Sequence, residues 1–172
     1  MIMKRIIITI IAAVAIFGLA AVSQAQVSAT ATATATIVTP ISITKTVDMN
    51  FGNVAVSTAP GTVVLTPAGT RTFTGGVTLP AVTGTVTAAS FTVTGEGSYT
   101  YAITLPATAT TIDDDASHTM TVDTWTSVPS GTGTLTAGTQ TLTVGATLNV
   151  GGSQAAGTYT SDTPFTVTVN YN

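Results

Sequence analysis

His118 is the single histidine of the chain, and cysteine is absent. A two-histidine metal site and thiol chemistry are therefore excluded. Nucleophilic catalysis would have to rest on a serine or threonine hydroxyl activated by His118, with a carboxylate such as Asp123 orienting the ring. No nucleophile elbow accompanies these residues, so His118 reads as an ordinary strand or loop position. Asp113-Asp-Asp115 is the one charge cluster. Calcium loops space their oxygen ligands around a glycine turn, whereas these three carboxylates are adjacent. They read as a solvated loop tip, with a weak cation site as the alternative. Gly131-Thr-Gly133 and Gly151-Gly152 precede no helix, so neither forms a phosphate cradle. Trp125, Tyr99 and Tyr101 offer the aromatic faces a sugar site needs, although Tyr101 reads as core. Thr134-Leu-Thr136 and Thr141-Leu-Thr143 lack the fixed repeat that an ice-binding ladder requires. The expectation is a non-enzymatic protein with no catalytic residue, cofactor or metal.

The elements that would hold these residues are strands. Threonine makes up about a quarter of the chain and falls mostly at every second position. Its branched side chain fits a pleated surface and its hydroxyl suits the wet face of a half-buried sheet. Helical spacing is missing after the first 25 residues. Strands are predicted over Val27–Val38, over Ile41–Val47 with Ile41, Ile43 and Val47 inward, and around Val63 and Leu65. Met49 and Phe51 point inward before a Gly52-Asn53 turn, and Pro67-Ala-Gly69 leads into Arg71-Thr-Phe73. Phe91-Thr-Val93, Gly95-Glu-Gly97 and the run Tyr99, Tyr101, Ile103, Leu105 read as a hairpin. Met120–Val122 leads to Trp125, and Leu142–Val144 and Leu148–Val150 read as two further strands. Nine to ten short strands with glycine and proline turns predict an all-β, antiparallel sandwich. A closed barrel is the runner-up. A transmembrane barrel needs aromatic girdles that 6% aromatic content does not furnish.

The first 25 residues read as an address. Lys4 and Arg5 precede an apolar run from Ile6 to Leu19, and Ser23-Gln-Ala25 predicts signal-peptidase cleavage before Gln26. The rival, an uncleaved membrane anchor, lacks a basic stop-transfer cluster. Residues 26–172 are then expected to form a single exported domain, in the periplasm, at the outer cell surface or outside the cell. Its cations are Lys45 and Arg71, against Asp48, Glu96, Asp113, Asp114, Asp115, Asp123 and Asp162: two against seven, a net charge of −5. Nucleic acid and anionic lipid find no basic patch, so membrane contact is expected only through the signal peptide. The low charge gives weak electrostatic protection against self-association.

Two stretches alternate without interruption. Near the start, Ala29, Ala31, Ala33, Ala35 and Ile37 share one face with threonines opposite; this is either an edge strand or, within residues 26–38, a segment donated to another subunit. At the end, Phe165, Val167, Val169 and Tyr171 alternate with Thr166, Thr168 and Asn170, the mark of a strand with one buried face. This ending, with its penultimate aromatic Tyr171 and upstream Gly157, resembles bacterial pilins of the chaperone–usher route. The ordered pieces Ile41-Ser-Ile-Thr-Lys-Thr-Val-Asp-Met-Asn-Phe-Gly52, Gly95-Glu-Gly-Ser-Tyr-Thr-Tyr101, Gly157-Thr-Tyr159 and the closing Val-Asn-Tyr-Asn resemble a family of bacterial exported proteins known only as domain-of-unknown-function family 4402. That family is similar in turn to the spore-coat-U and pilin-like group. The resemblance implies an incomplete immunoglobulin-like, pilin-like sandwich and carries no catalytic residues. It implies a structural subunit that pairs with copies of itself or other exported subunits, with a periplasmic chaperone as a further partner. The alternative is a self-contained adhesive domain binding carbohydrate or protein.

Overall fold

The computed structural model describes residues 26–172; the expected signal segment, residues 1–25, lies outside the described residues. The chain divides into one unit ending at Thr36 and a second spanning Ile37–Asn172. In the first, residues 26–36 carry no strand and every one is exposed.

The second unit is all-β, with ten strands: β1 Ser42–Val47, β2 Ala55–Leu65, β3 Arg71–Thr78, β4 Ala89–Thr94, β5 Thr100–Thr104, β6 Thr110–Asp113, β7 Thr119–Val128, β8 Thr132–Thr134, β9 Thr139–Val150 and β10 Thr168–Tyr171. All pair antiparallel. A seven-stranded sheet runs β1-β4-β9-β2-β3, with β7 pairing β9 and β6 pairing β7. A three-stranded sheet runs β10-β5-β8. This is the antiparallel sandwich that the alternation predicts, and it is consistent with an immunoglobulin-like fold.

The central strand is β9. Its first half pairs β4, from Thr139 opposite Thr94 to Val144 opposite Ala89; its second half pairs β2, from Ala146 to Val150. Leu142, Val144, Ala146, Leu148 and Val150 stay in phase and are all buried. They serve two core clusters. In one, Leu142, Val144, Ala89 and Val93 meet Tyr101, Leu135, Val167 and Val169. In the other, Ala146, Leu148 and Val150 join Val63, Val77 and Val122, closed over by Met49, Phe51, Val54 and Leu79. Burying one such side chain stabilises by about 1.5–3 kcal/mol, and without disulfides these clusters and the ladder hydrogen bonds hold the fold.

Several local expectations are revised. Leu142–Val144 and Leu148–Val150 are one strand, because Gly145 continues it where the Leu65 carbonyl lies too close for any side chain. The hairpin expected around Gly95-Glu-Gly97 is absent: β4 and β5 belong to different sheets, and the glycine turn is a corner between them. Val47 is exposed, not inward. A bulge between Lys45 and Val47 adds a residue and pairs Val47 with Ser90, reversing its face. The strand expected over Val27–Val38 does not form among the described residues, so that stretch is no edge strand of the sandwich. The last strand is shorter than read, since Phe165 and Val167 precede β10, although Val167 remains buried.

Candidate functional site

Strand β10 pairs β5 along one side, with Val169 opposite Ile103 and Tyr171 opposite Tyr101. It ends the three-stranded sheet, so its other side has no strand partner among the described residues. Val167 and Val169 retain 8% and 7% exposure and pack in the first core cluster. Phe165 is half-buried. Its ring lies 4.5 Å from that of Trp125 and 6.5 Å, edge-on, from that of Phe91. Strand β1 ends the seven-stranded sheet in the same way, paired only to β4. The two end strands approach within 8 Å between Cα atoms without forming a ladder. Ile41 and Ile43, from the β1 side, pack on the same cluster as Val167 and Val169. The sandwich therefore has an unladdered seam, with backbone donors and acceptors on both sides and apolar side chains beneath.

Tyr171 is the hub at one end of this seam. Its hydroxyl donates to the Thr39 carbonyl (2.8 Å) and accepts from the Glu96 N–H (2.5 Å). Its ring meets Tyr99 edge-on at 5.6 Å. Gly95 is required here, because a Cβ at that position would overlap the Tyr171 hydroxyl. The Glu96 carboxylate accepts from the Thr39 N–H (3.0 Å), and that bond holds the Glu96 carboxyl below its ordinary range. Both backbone groups of Thr39 are thus engaged by side chains. Sequence reading noticed Tyr171 but took Glu96 for a turn residue; its one signal was being the only glutamate in the chain.

The other candidate, Ala29 to Ile37, is wholly exposed. Val27 and Ile37 keep 93% and 95% of their surface accessible, and no charged residue occurs from Gln26 to Thr44.

The polar candidates stand on elements other than β1 and β10. His118 Nδ1 sits 2.7 Å from the Asp114 carboxylate, not beside Asp123. Burial works to raise the Asp114 carboxyl, but hydrogen bonds from the His118 ring and from the N–H groups of His118 and Ala116 outweigh it and hold it low. Asp123 accepts from Asn149 and from Thr124 on the sheet surface. Asp113 and Asp115 are joined by Asp162, their carboxylates within 4.8 Å of one another; this is the cluster that could take a cation. Asp162 was missed because it is brought in by the pairing of Asp113 with Thr160. Asp113 and Asp162 also line an open groove of about 520 Å³ with Phe165 and threonines 108, 110, 111, 163 and 166. The aromatic trio does not form a platform. Tyr101 is fully buried, donating to Gln140 (2.7 Å), and burial pushes its hydroxyl pKa up. Trp125 stacks on Phe165 and donates to the Thr108 carbonyl, while Tyr99 sits against Tyr171.

The family model described as a domain of unknown function, DUF4402, matches residues 41–171. The chain belongs to the DUF4402 family. The match begins one residue before β1 and ends at Tyr171, so it takes in all ten strands and both sides of the seam. The alternating segment before Pro40 lies outside it. No curated protein and no solved structure matches the chain.

Proposed function

We propose that this DUF4402 protein is a non-enzymatic, exported structural subunit that joins its neighbours by β-strand addition. The observation that carries the reading is the pairing of opposites within one chain. Two of the sandwich's end strands, β1 and β10, are each laddered on one side only and contribute to or flank the same apolar core. The chain also supplies an alternating, uncharged segment that makes no strand. In strand addition, backbone hydrogen bonds provide affinity and alternate side chains seated in the acceptor provide register. Residues 27–38 span roughly 40 Å at about 3.4 Å each, enough to run along either end strand. The likeness of the C-terminal strand to chaperone–usher and spore-coat-U proteins supports the same role. The export signal read in residues 1–25 would put assembly in the periplasm or at the cell surface.

The test is deletion of Gln26–Thr36. The intact exported chain is expected to form SDS-resistant ladders, and the deleted chain to stay folded by circular dichroism but remain monomeric. An intact chain that stays monomeric, a deleted chain that still forms ladders, or one that unfolds would each overturn the reading.

A further inference from the structure

An alternating segment in the same chain as a free strand edge can in principle pair with its own domain as well as with a neighbour's, and only the second outcome builds a polymer. We propose that Glu96 and Tyr171 clamp the hinge residue Thr39 and thereby bias the segment toward a neighbouring copy and against self-pairing. This rests on the strand-addition reading above and concerns its regulation.

The hinge is well placed. The second unit begins at Ile37, so Thr39 is its third residue and Pro40 its fourth. For residues 27–36 to lie along their own β1 or β10, the chain must reverse between them and β1. Such a reversal is a turn closed by backbone N–H and C=O groups at its ends. At Thr39 both groups are already engaged: the N–H by the Glu96 carboxylate (3.0 Å) and the C=O by the Tyr171 hydroxyl (2.8 Å). Pro40 has no N–H to offer and its φ is locked. As the residue before proline, Thr39 is itself disfavoured from helical turn conformations. Reversal at this point therefore loses two hydrogen bonds, one of them to a carboxylate and so stronger than a neutral bond.

The clamp is itself preorganised. The Tyr171 hydroxyl is fixed by the Glu96 N–H, its ring by Tyr99, and its approach depends on the bare Cα of Gly95. Three distant stretches are joined at one point: the start of the domain, the corner between β4 and β5, and the last strand. A chain whose last strand has not docked lacks the Tyr171 half of the clamp, so the outward bias is complete only once the sandwich is.

The experiment compares Glu96→Ala, Tyr171→Phe and Glu96→Gln in the full exported chain. Tyr171→Phe keeps the ring and removes the hydroxyl. Glu96→Gln keeps an acceptor for the Thr39 N–H and serves as the conservative rescue. Each sample is scored for SDS-resistant ladders, for hydrogen exchange across residues 26–38 in the monomer fraction, and for its urea midpoint. Loss of one clamp bond is expected to cut the ladder-to-monomer ratio about three- to tenfold. Exchange across residues 26–38 of the monomer should slow as the segment pairs at home. Glu96→Gln should behave as wild type. Ladders unchanged in Glu96→Ala and Tyr171→Phe would overturn the clamp alone. So would fewer ladders with the monomer's segment still exchanging freely, since that is loss of assembly without self-pairing. If Glu96→Ala fails to fold, Tyr171→Phe decides. A wild-type chain with no ladders overturns the strand-addition reading, and the clamp falls with it.

Discussion

Two stretches of this chain alternate with equal regularity and end differently. From Ala29 to Ile37 the small apolar residues point one way and threonines the other, yet no strand forms and every side chain is exposed. From Phe165 to Tyr171 the same period leads into β10, with Val167 and Val169 buried and Tyr171 bonded at both its donor and acceptor capacity. The difference lies in side-chain volume and in the presence of a partner strand. Ordering a residue's backbone costs about 1–2 kcal/mol, and an alanine returns little apolar area against it. A buried valine or aromatic returns about 1.5–3 kcal/mol, and β5 supplies the ladder. Alternation says that a segment is able to be a strand; the side-chain area it buries and the ladder it makes with a partner such as β5 decide whether it is one within its own domain.

Deleting Asn170–Asn172 is the strongest way to break this comparison. It removes Tyr171 with its hydroxyl bonds and the last ladder pairs, including the Asn172 N–H to the Thr100 carbonyl. A loss of about 3–5 kcal/mol is expected by urea denaturation, a large share of the ~5–15 kcal/mol that holds a domain together. A loss below about 1 kcal/mol would make β10 a frayed end like any other. Val169→Ala comes next. It empties a position at 7% exposure, and about 2–3 kcal/mol is expected from lost transfer energy plus cavity.

A smaller, local effect separates packed strand from charged loop. The Asp114 carboxyl is held low by its bonds with His118 and Ala116, so its contribution is present above the ordinary carboxylate range. It should disappear as pH falls below about 4. Amide exchange at Ala116 and His118 should quicken over that window while Val169 stays protected; simultaneous loss at both would tie the loop to the core. The smallest effect belongs to the first stretch. Ala33→Ser should change stability by no more than about 0.5 kcal/mol, read as an unchanged urea midpoint, and a larger drop would mean that Ala33 is packed in the isolated domain.

Much of the fold was legible residue by residue. The all-β class, the inward faces of Val63, Leu65, Tyr101 and Val122, and the turns at Gly52 and Gly69 follow from period-two alternation and from glycine's access to positive φ. These are local properties, set by the geometry of one strand or one turn. What the strands pair with was not local. Gly95-Glu-Gly97 has the composition of a hairpin turn, yet Ala89–Thr94 and Thr100–Thr104 enter different sheets, because both edges of β4 are taken, one by β1 and the other by β9. Val47 kept its phase in the sequence and lost it to a bulge.

The same division runs through the candidate sites. Tyr171 and the alternating segments could be picked out from the residues alone, because type and spacing carry that signal. That Glu96 would grip Thr39 across 57 positions, or that Asp162 would join Asp113 and Asp115, could not. Each depends on where whole strands come to rest, and that is settled by burying the largest total of apolar surface while leaving no buried side-chain polar atom unpaired among the described residues. That condition belongs to the assembled chain and is written in no single stretch of it.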